Sequence, residues 1–246
     1  MRWLILSDIH GNLDALQAVL ADAQGRYDDI VCCGDLVDYG AQPNEVVYWV
    51  RDHVKHVIRG NHDRVCAGLG GLEDFSPIAH AAAIWTNTAL APDALEYVRN
   101  MPQGPVALDG FTYCHGAMTH EDDYLITGAD ARQQRDHLVT NVTIFGHTHV
   151  QGGFEILPKS VRRVEATAFH SNERVVEIRP SEWYLLNPGA VGQPRDGDPR
   201  AAYAIYSTAD RTFIHRRVAY DVDSAMSKIL DAGLPDRLAG RLATGA

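Results

Sequence analysis

The strongest constraint on this chain is the alternation in its first 63 residues. Three short apolar runs are separated by two stretches with helical spacing. Residues 2–7 form the first run, Asp28–Cys33 the second and Val54–Ile58 the third; each reads as a buried strand. Between the first two, Leu13, Leu16, Val19 and Leu20 recur on one side of a helix spanning Leu13–Ala23, with Asn12 as its N-cap. Between the second and third, Val46, Val47 and Val50 follow Pro43, a residue suited to a first helical turn. The order β-α-β-α-β predicts a parallel sheet with right-handed crossovers.

Each run stops at a polar residue. The first ends in Asp8-Ile9-His10, the second in Gly34-Asp35, the third in Gly60-Asn61-His62-Asp63. Open α/β sheets bind ligands beyond their strand ends. The pattern continues later: Phe111–Cys114 ends in His115, and Val142–Phe145 ends in Gly146-His147-Thr148-His149. Alternate residues of an extended segment share a face. Asp8 with His10, and His147 with His149, are therefore each expected to reach toward one point. Imidazole, carboxylate and amide donors without thiolate suit Mn, Fe, Zn, Ni or Co. Seven such donors exceed what one catalytic ion uses. They match two ions about 3.5–4 Å apart sharing a carboxylate, an arrangement for displacement at phosphorus.

The blocks Asp8-x-His10, Gly34-Asp35, Gly60-Asn61-His62-Asp63, His115 and Gly146-His147-x-His149 resemble the calcineurin-like metallophosphoesterase family. All five are present in order across nearly two thirds of the chain, the first two gaps being about 26 residues each. The resemblance extends, more loosely, to small bacterial members with a late Gly/Pro loop like Asn187–Arg200. It implies an α/β fold, a two-sheet β-sandwich flanked by helices with a dinuclear metal site at the strand ends. It implies that Asp8, His10 and His149 bind one divalent ion, that Asn61, His115 and His147 bind the other, and that Asp35 bridges. Two dications would lower the pKa of a water held between them, giving a hydroxide that attacks phosphorus. His62, placed by the resemblance near the leaving oxygen, would act as general acid. Asp38 matches the second Asp that pairs with that histidine. The phosphoprotein phosphatases follow that Asp with a phosphate-clamping arginine; here the position is Tyr39, which weighs against a phosphoprotein substrate. Arg64, Arg195 and Arg200 are the substitutes the sequence offers.

The rest of the chain reads as one domain over residues 1–246. Residues 64–104 form a helical excursion, with helices over Ile78–Leu90 and Pro92–Asn100. A hairpin over Val106–Cys114 turns at Asp109-Gly110, and a helix covers Asp130–Leu138. Short β-like runs lie between Gly152 and Leu186. Tyr203–Ser207 and Thr212–Val218 read as paired edge strands, before helices over Asp221–Asp231 and Pro235–Leu242. The excursion and the late β segment offer surface for contact between copies of the chain. Of the 12 histidines, His53, His56, His80, His120, His137, His170 and His215 lack the strand-end context. The four cysteines have neither disulfide nor zinc-finger spacing and read as buried hydrophobes.

A net charge of −10 argues against non-specific nucleic-acid or membrane binding. A phosphate ester remains accessible, because bound dications reverse the local field. The N-terminal apolar run is too short for a signal peptide and is interrupted by Asp8, which leads to a cytoplasmic reading. The expected activity is hydrolysis of a small phosphodiester or phosphomonoester. Alternatives are a dinucleoside polyphosphate hydrolase, a phosphoprotein phosphatase, and a non-catalytic scaffold that keeps the sandwich.

Overall fold

The computed structural model describes residues 1–246. In chain order it contains β1 (Arg2–Leu6), α1 (Leu13–Ala23), β2 (Asp29–Cys32), α2 (Pro43–His53), β3 (His56–Val57) and α3 (Asn61–Cys66). Then come α4 (Pro77–Ala89), α5 (Pro92–Asn100), β4 (Val106–Leu108), β5 (Phe111–Tyr113), α6 (Gly128–Gln133) and β6 (Val142–Ile144). The remainder is β7 (Gly152–Ile156), β8 (Val161–Val164), β9 (Glu173–Glu177), β10 (Trp183–Asn187), β11 (Ala201–Ser207), β12 (Thr212–Val218), α7 (Val222–Asp231) and α8 (Asp236–Thr244). No helix is long and apolar enough to cross a membrane.

Two six-stranded sheets result, ordered β3-β2-β1-β11-β12-β9 and β4-β5-β6-β10-β7-β8. As expected, β1, β2 and β3 are parallel neighbours. After their first residues β1 and β2 are apolar because both faces are covered. On β1, Trp3 and Ile5 face the second sheet, meeting Phe111, Ile144 and Tyr184 in the inter-sheet core. Leu4 and Leu6 face the other way, against Leu16 and Val19 of α1 and Val46 and Val50 of α2. Asn12 caps α1, its side chain accepting from the Ala15 amide at 3.1 Å. The excursion stays on the outer layer, α4 against α3 and α5 against α2. All four cysteines are free and buried.

Three expectations are corrected. The late pair is not at an edge: β11 lies between β1 and β12, and β12 lies between β11 and β9. Every residue of β11 is buried, which is why it carries no polar alternation. The third run pairs over two residues only, because Val54 is spent closing α2. The helix expected over Asp130–Leu138 starts at Gly128, capped by Thr127, and tightens into a 3₁₀ turn from Gln134.

Candidate metal centre

The strand ends of both sheets meet at one place. β1, β2 and β3 deliver Asp8, His10, Asp35, Asn61 and His62 from one sheet; β5 and β6 deliver His115, His147 and His149 from the other. The segments that carry them are not extended. Asp8, His10, Asp35, His147 and His149 all have φ between 49° and 63°, in the left-handed region. Such backbone costs of order 1–3 kcal/mol per residue and persists where surrounding bonds over-determine it. Here the Asp8 amide donates to Gly34 O, the His10 amide to Asp35 O and the Gly40 amide to His10 O, each at 3.0 Å. The expected face-sharing by strand alternation is therefore replaced by tight left-handed turns. One consequence is that His147 and His149 diverge into two groups instead of meeting at one point.

The first group is Asp8, His10, Asp35 and His149; the second is Asp35, His115 and His147. Asp35 belongs to both. Asn61 joins the second, its Oδ1 3.0 Å from His115 Nε2. All seven side chains are buried.

The hydrogen-bond pattern fixes which atoms face inward. His10 Nδ1 lies 2.9 Å from Val37 O and His149 Nδ1 2.6 Å from Gln193 O. A carbonyl accepts only, so each Nδ1 carries the proton and each Nε2 a lone pair. Those two Nε2 atoms are 3.0 Å apart. Two lone pairs so close repel unless a cation lies between them. Two metal–nitrogen bonds of about 2.1 Å at right angles give about the same separation. His115 repeats the pattern: Nδ1 donates to Cys33 O at 2.8 Å, and Nε2 faces Asn61 Oδ1 and Asp35 Oδ2, the latter at 3.2 Å. His147 uses the other nitrogen. Its Nε2 lies 3.1 Å from Asp122 O, which leaves Nδ1 as the lone-pair donor. Asp35 Oδ1 accepts from the His62 amide at 2.9 Å, while its buried Oδ2 has no hydrogen-bond partner. The donor set fits divalent cations.

Burial and neighbouring charge point the same way. Burial pushes Asp8 up to about 6 and Asp63 up to about 7, with the Asp35 carboxylate adding to both. Burial would lower His115, but Asp35 raises it to about 10. His10 and His149 are held well below the usual imidazole range, chiefly by burial, and so are neutral. The pocket thus raises proton affinity where carboxylate charge is uncompensated, a demand that a dication meets without protons.

Residues 1–211 match the calcineurin-like phosphoesterase superfamily domain. The chain belongs to the calcineurin-like phosphoesterase superfamily. It is 32% identical to the uncharacterized protein MJ0912 of Methanocaldococcus jannaschii over 98% of this chain and 97% of that protein. A metallophosphoesterase structure from Sphaerobacter thermophilus is 37% identical, with a TM-score of 0.86 over 100% of this chain and 99% of that one. The hypothetical protein PH1004 from Pyrococcus horikoshii shares the fold, with a TM-score of 0.78 at 17% identity over 100% of this chain and 98% of that chain. The family and the Asp/His cluster together indicate divalent-metal binding.

The centre opens to the surface through a cleft of about 360 Å³. His62 lines it. Its Nδ1 is 2.6 Å from Asp38 Oδ2, and its Nε2 is 3.3 Å from the Tyr39 hydroxyl. Burial opposes a charge on this imidazole, but Asp35 and Asp38 outweigh it and raise its pKa above the ordinary value. Asp63 lies behind, its Oδ2 accepting from the Gly60 amide at 2.9 Å and its Oδ1 from the Leu36 amide at 2.8 Å. The three sequence-nominated arginines separate. Arg195 lines the cleft, with its guanidinium 5.6 Å from the Tyr39 ring centre. Arg64 lines it too but is paired with Glu121 at 2.8 Å and Asp122 at 2.9 Å. Arg200 is outside it, clamped to Asp198 at 2.6 Å and bonded to Ser171 O, which corrects its nomination. Tyr124 and Arg241 also line the cleft. Neither lies near a motif in sequence, so no local signal marked them.

Proposed function

We propose that this chain is a dinuclear metal-dependent hydrolase of phosphate esters. Asp8, His10 and His149 would hold one divalent ion, Asn61, His115 and His147 the other, and Asp35 would stand between them. The observation that carries this is the facing pair of imidazole lone pairs, His10 Nε2 and His149 Nε2 at 3.0 Å, with both Nδ1 atoms committed to carbonyls. Bound in this pocket, two dications would supply Lewis acidity toward a phosphoryl group and an activated water.

The chain's own residues supply the rest. Asp38 orients His62 through Nδ1, so that Nε2 projects into the cleft. Asp38, accepting from Nδ1, favours the charged imidazole, whose Nε2 proton would go to the departing oxygen. The Tyr39 hydroxyl beside that atom restricts ring rotation. Arg195, held by Gln193 Oε1 at 3.0 Å, replaces from a distant loop the guanidinium missing at position 39 and would grip the phosphoryl oxygens.

The test is metal content by plasma mass spectrometry together with hydrolysis of bis-p-nitrophenyl phosphate. Wild type reconstituted with manganese should bind two ions and turn over; Asp35→Asn should lose metal and nearly all activity. His62→Ala should keep both ions and slow by about 10²–10⁴-fold. An Asp35→Asn protein with wild-type metal content and rate would sink the assignment.

A further inference from the structure

Arg195 and Arg241 both line the cleft, close enough for their charges to interact, and neither forms an ion pair. Among the arginines that are not exposed, these two are the exception. Arg59, Arg64, Arg200, Arg216 and Arg217 all have carboxylate partners. The cleft's own carboxylates leave the pair free: Asp122 is taken by Arg64, and Asp74 contacts no arginine. Arg195 Nε is buried without a hydrogen-bond partner, and the Arg241 guanidinium makes no hydrogen bond. Burial and the positive charge of Arg195 both lower the Arg241 pKa, as expected for two cations sharing a half-buried space.

The fold holds this arrangement in place. Arg241 is in the last turn of α8. The end of α8 is fastened to the loop that carries Arg195, the Gly197 amide donating to Gly245 O at 2.8 Å. The other side of α8 is buried, with Leu238, Ala239 and Leu242 packed on Tyr39, Ala79 and α7. Arg241 therefore cannot swing out with its helix to reach a carboxylate elsewhere. It also lies beyond residues 1–211, the region matched by the family. Arg195 is the inner of the two, its amide bonded to His149 O at 3.1 Å. Arg241 faces it from the C-terminal helix.

We infer that Arg241 forms a subsite for a second phosphate group, one carried by the substrate beyond the phosphate being cleaved and read by Arg195. The preferred substrate then has at least two phosphate groups, as a nucleoside diphosphate does. This rests on the hydrolase reading but has its own readout. Inhibition of bis-p-nitrophenyl phosphate hydrolysis by AMP and by ADP, in excess manganese, compares ligands differing by one phosphate. In wild type, ADP should inhibit about 10–100-fold more tightly than AMP, the fold-change of one charge-assisted hydrogen-bonding group. In Arg241→Ala that ratio should fall to near one while the AMP constant stays within about twofold; Arg241→Lys should keep part of it. A wild type without preference, or an Arg241→Ala protein that retains it or weakens both nucleotides equally, overturns the inference. Calorimetric titration with AMP and ADP needs no turnover. Failure of the hydrolase reading would thus appear as lost hydrolysis with the binding ratio still measurable.

Discussion

Gly60→Ala tests the centre at its tightest point. Gly60 has φ −101° and ψ −177°, extended backbone that alanine adopts freely, so any effect is steric. A Cβ there would lie 2.0 Å from Asp35 Oδ1 and 2.6 Å from His115 Cε1. Ordinary contact begins near 3.4 Å, so Asp35 would have to retreat by about 1.4 Å. It has nowhere to go: its side chain is fully buried, and Oδ1 is tied to the His62 amide at 2.9 Å. If the backbone yields instead, the start of α3 moves and takes Asn61 and His62 with it. Either way at least one proposed ligand, Asp35 or Asn61, is displaced by more than a bond to metal tolerates. A misplacement of about 1 Å costs roughly 10²-fold in rate, and overpacking costs about 1–3 kcal/mol of stability. The assay is metal content, turnover of bis-p-nitrophenyl phosphate and urea unfolding on the same preparation. Gly240→Ala is the control. Nothing lies within 4 Å of its Cβ, and it sits inside α8, so it should gain about 0.5–1 kcal/mol and leave turnover alone. A Gly60→Ala protein with two bound ions and a wild-type rate would refute the placement of Asp35 between the two groups.

Two further predictions concern stability. Asn12→Ala removes the α1 cap and the bond from Asn12 Nδ2 to Gly192 O at 2.9 Å, and should cost about 1–2 kcal/mol in urea unfolding. Asn12→Ser keeps a cap acceptor and loses only the Nδ2 donor, so it should cost less; equal losses would mean the cap contributes nothing. His215 is fully buried on β12, and burial depresses its pKa to about 4 from 6.5. Below pH 6.5 the unfolded chain binds a proton that the folded chain refuses, so stability falls as pH drops from about 6.5 to about 4, by up to about 3 kcal/mol. His215→Gln should flatten that part of the wild-type curve, read as unfolding free energy at pH 5 and pH 7. An unchanged pH slope would show that His215 is not the group responsible.

The β1-β2-β3 half of the first sheet was legible because burial on both faces leaves short, largely apolar runs, and because the helices between them carry caps and spacing of their own. What was not legible depended on partners far away in sequence. β11 reads alone as an edge strand; only the antiparallel pairing of Leu4 with Ile205 and Ile5 with Ala204 places it in the middle. The ligand blocks could be named residue by residue because each is local. Arg241 could not, since nothing near it in the chain shows that α8 returns to the cleft. Arg200 was misjudged for the opposite reason: the same loop that presents Arg195 supplies Asp198 two residues earlier, and that carboxylate captures it.

The left-handed turns expose a limit of reading sites by periodicity. Nine non-glycine residues have positive φ; five are proposed ligands, Tyr39 lines the cleft and Asp38 holds His62 from behind it. Strand alternation would send Asp8 with His10, and His147 with His149, to common points. Asp8 and His10 do meet in one group, but the turn through His147 and His149 sends His149 to them and His147 across to His115. This separation is what allows two groups to share Asp35. Extended segments would gather each pair at one point, with no route to a second centre from the same strand. The strain is local and repeated, and the bonds resisting it run between the loops themselves, from Asp8 to Gly34, His10 to Asp35 and Gly192 to Asp8. The conformational cost and the two-group geometry are therefore one feature: the turns that strain the backbone are the turns that divide the proposed ligands.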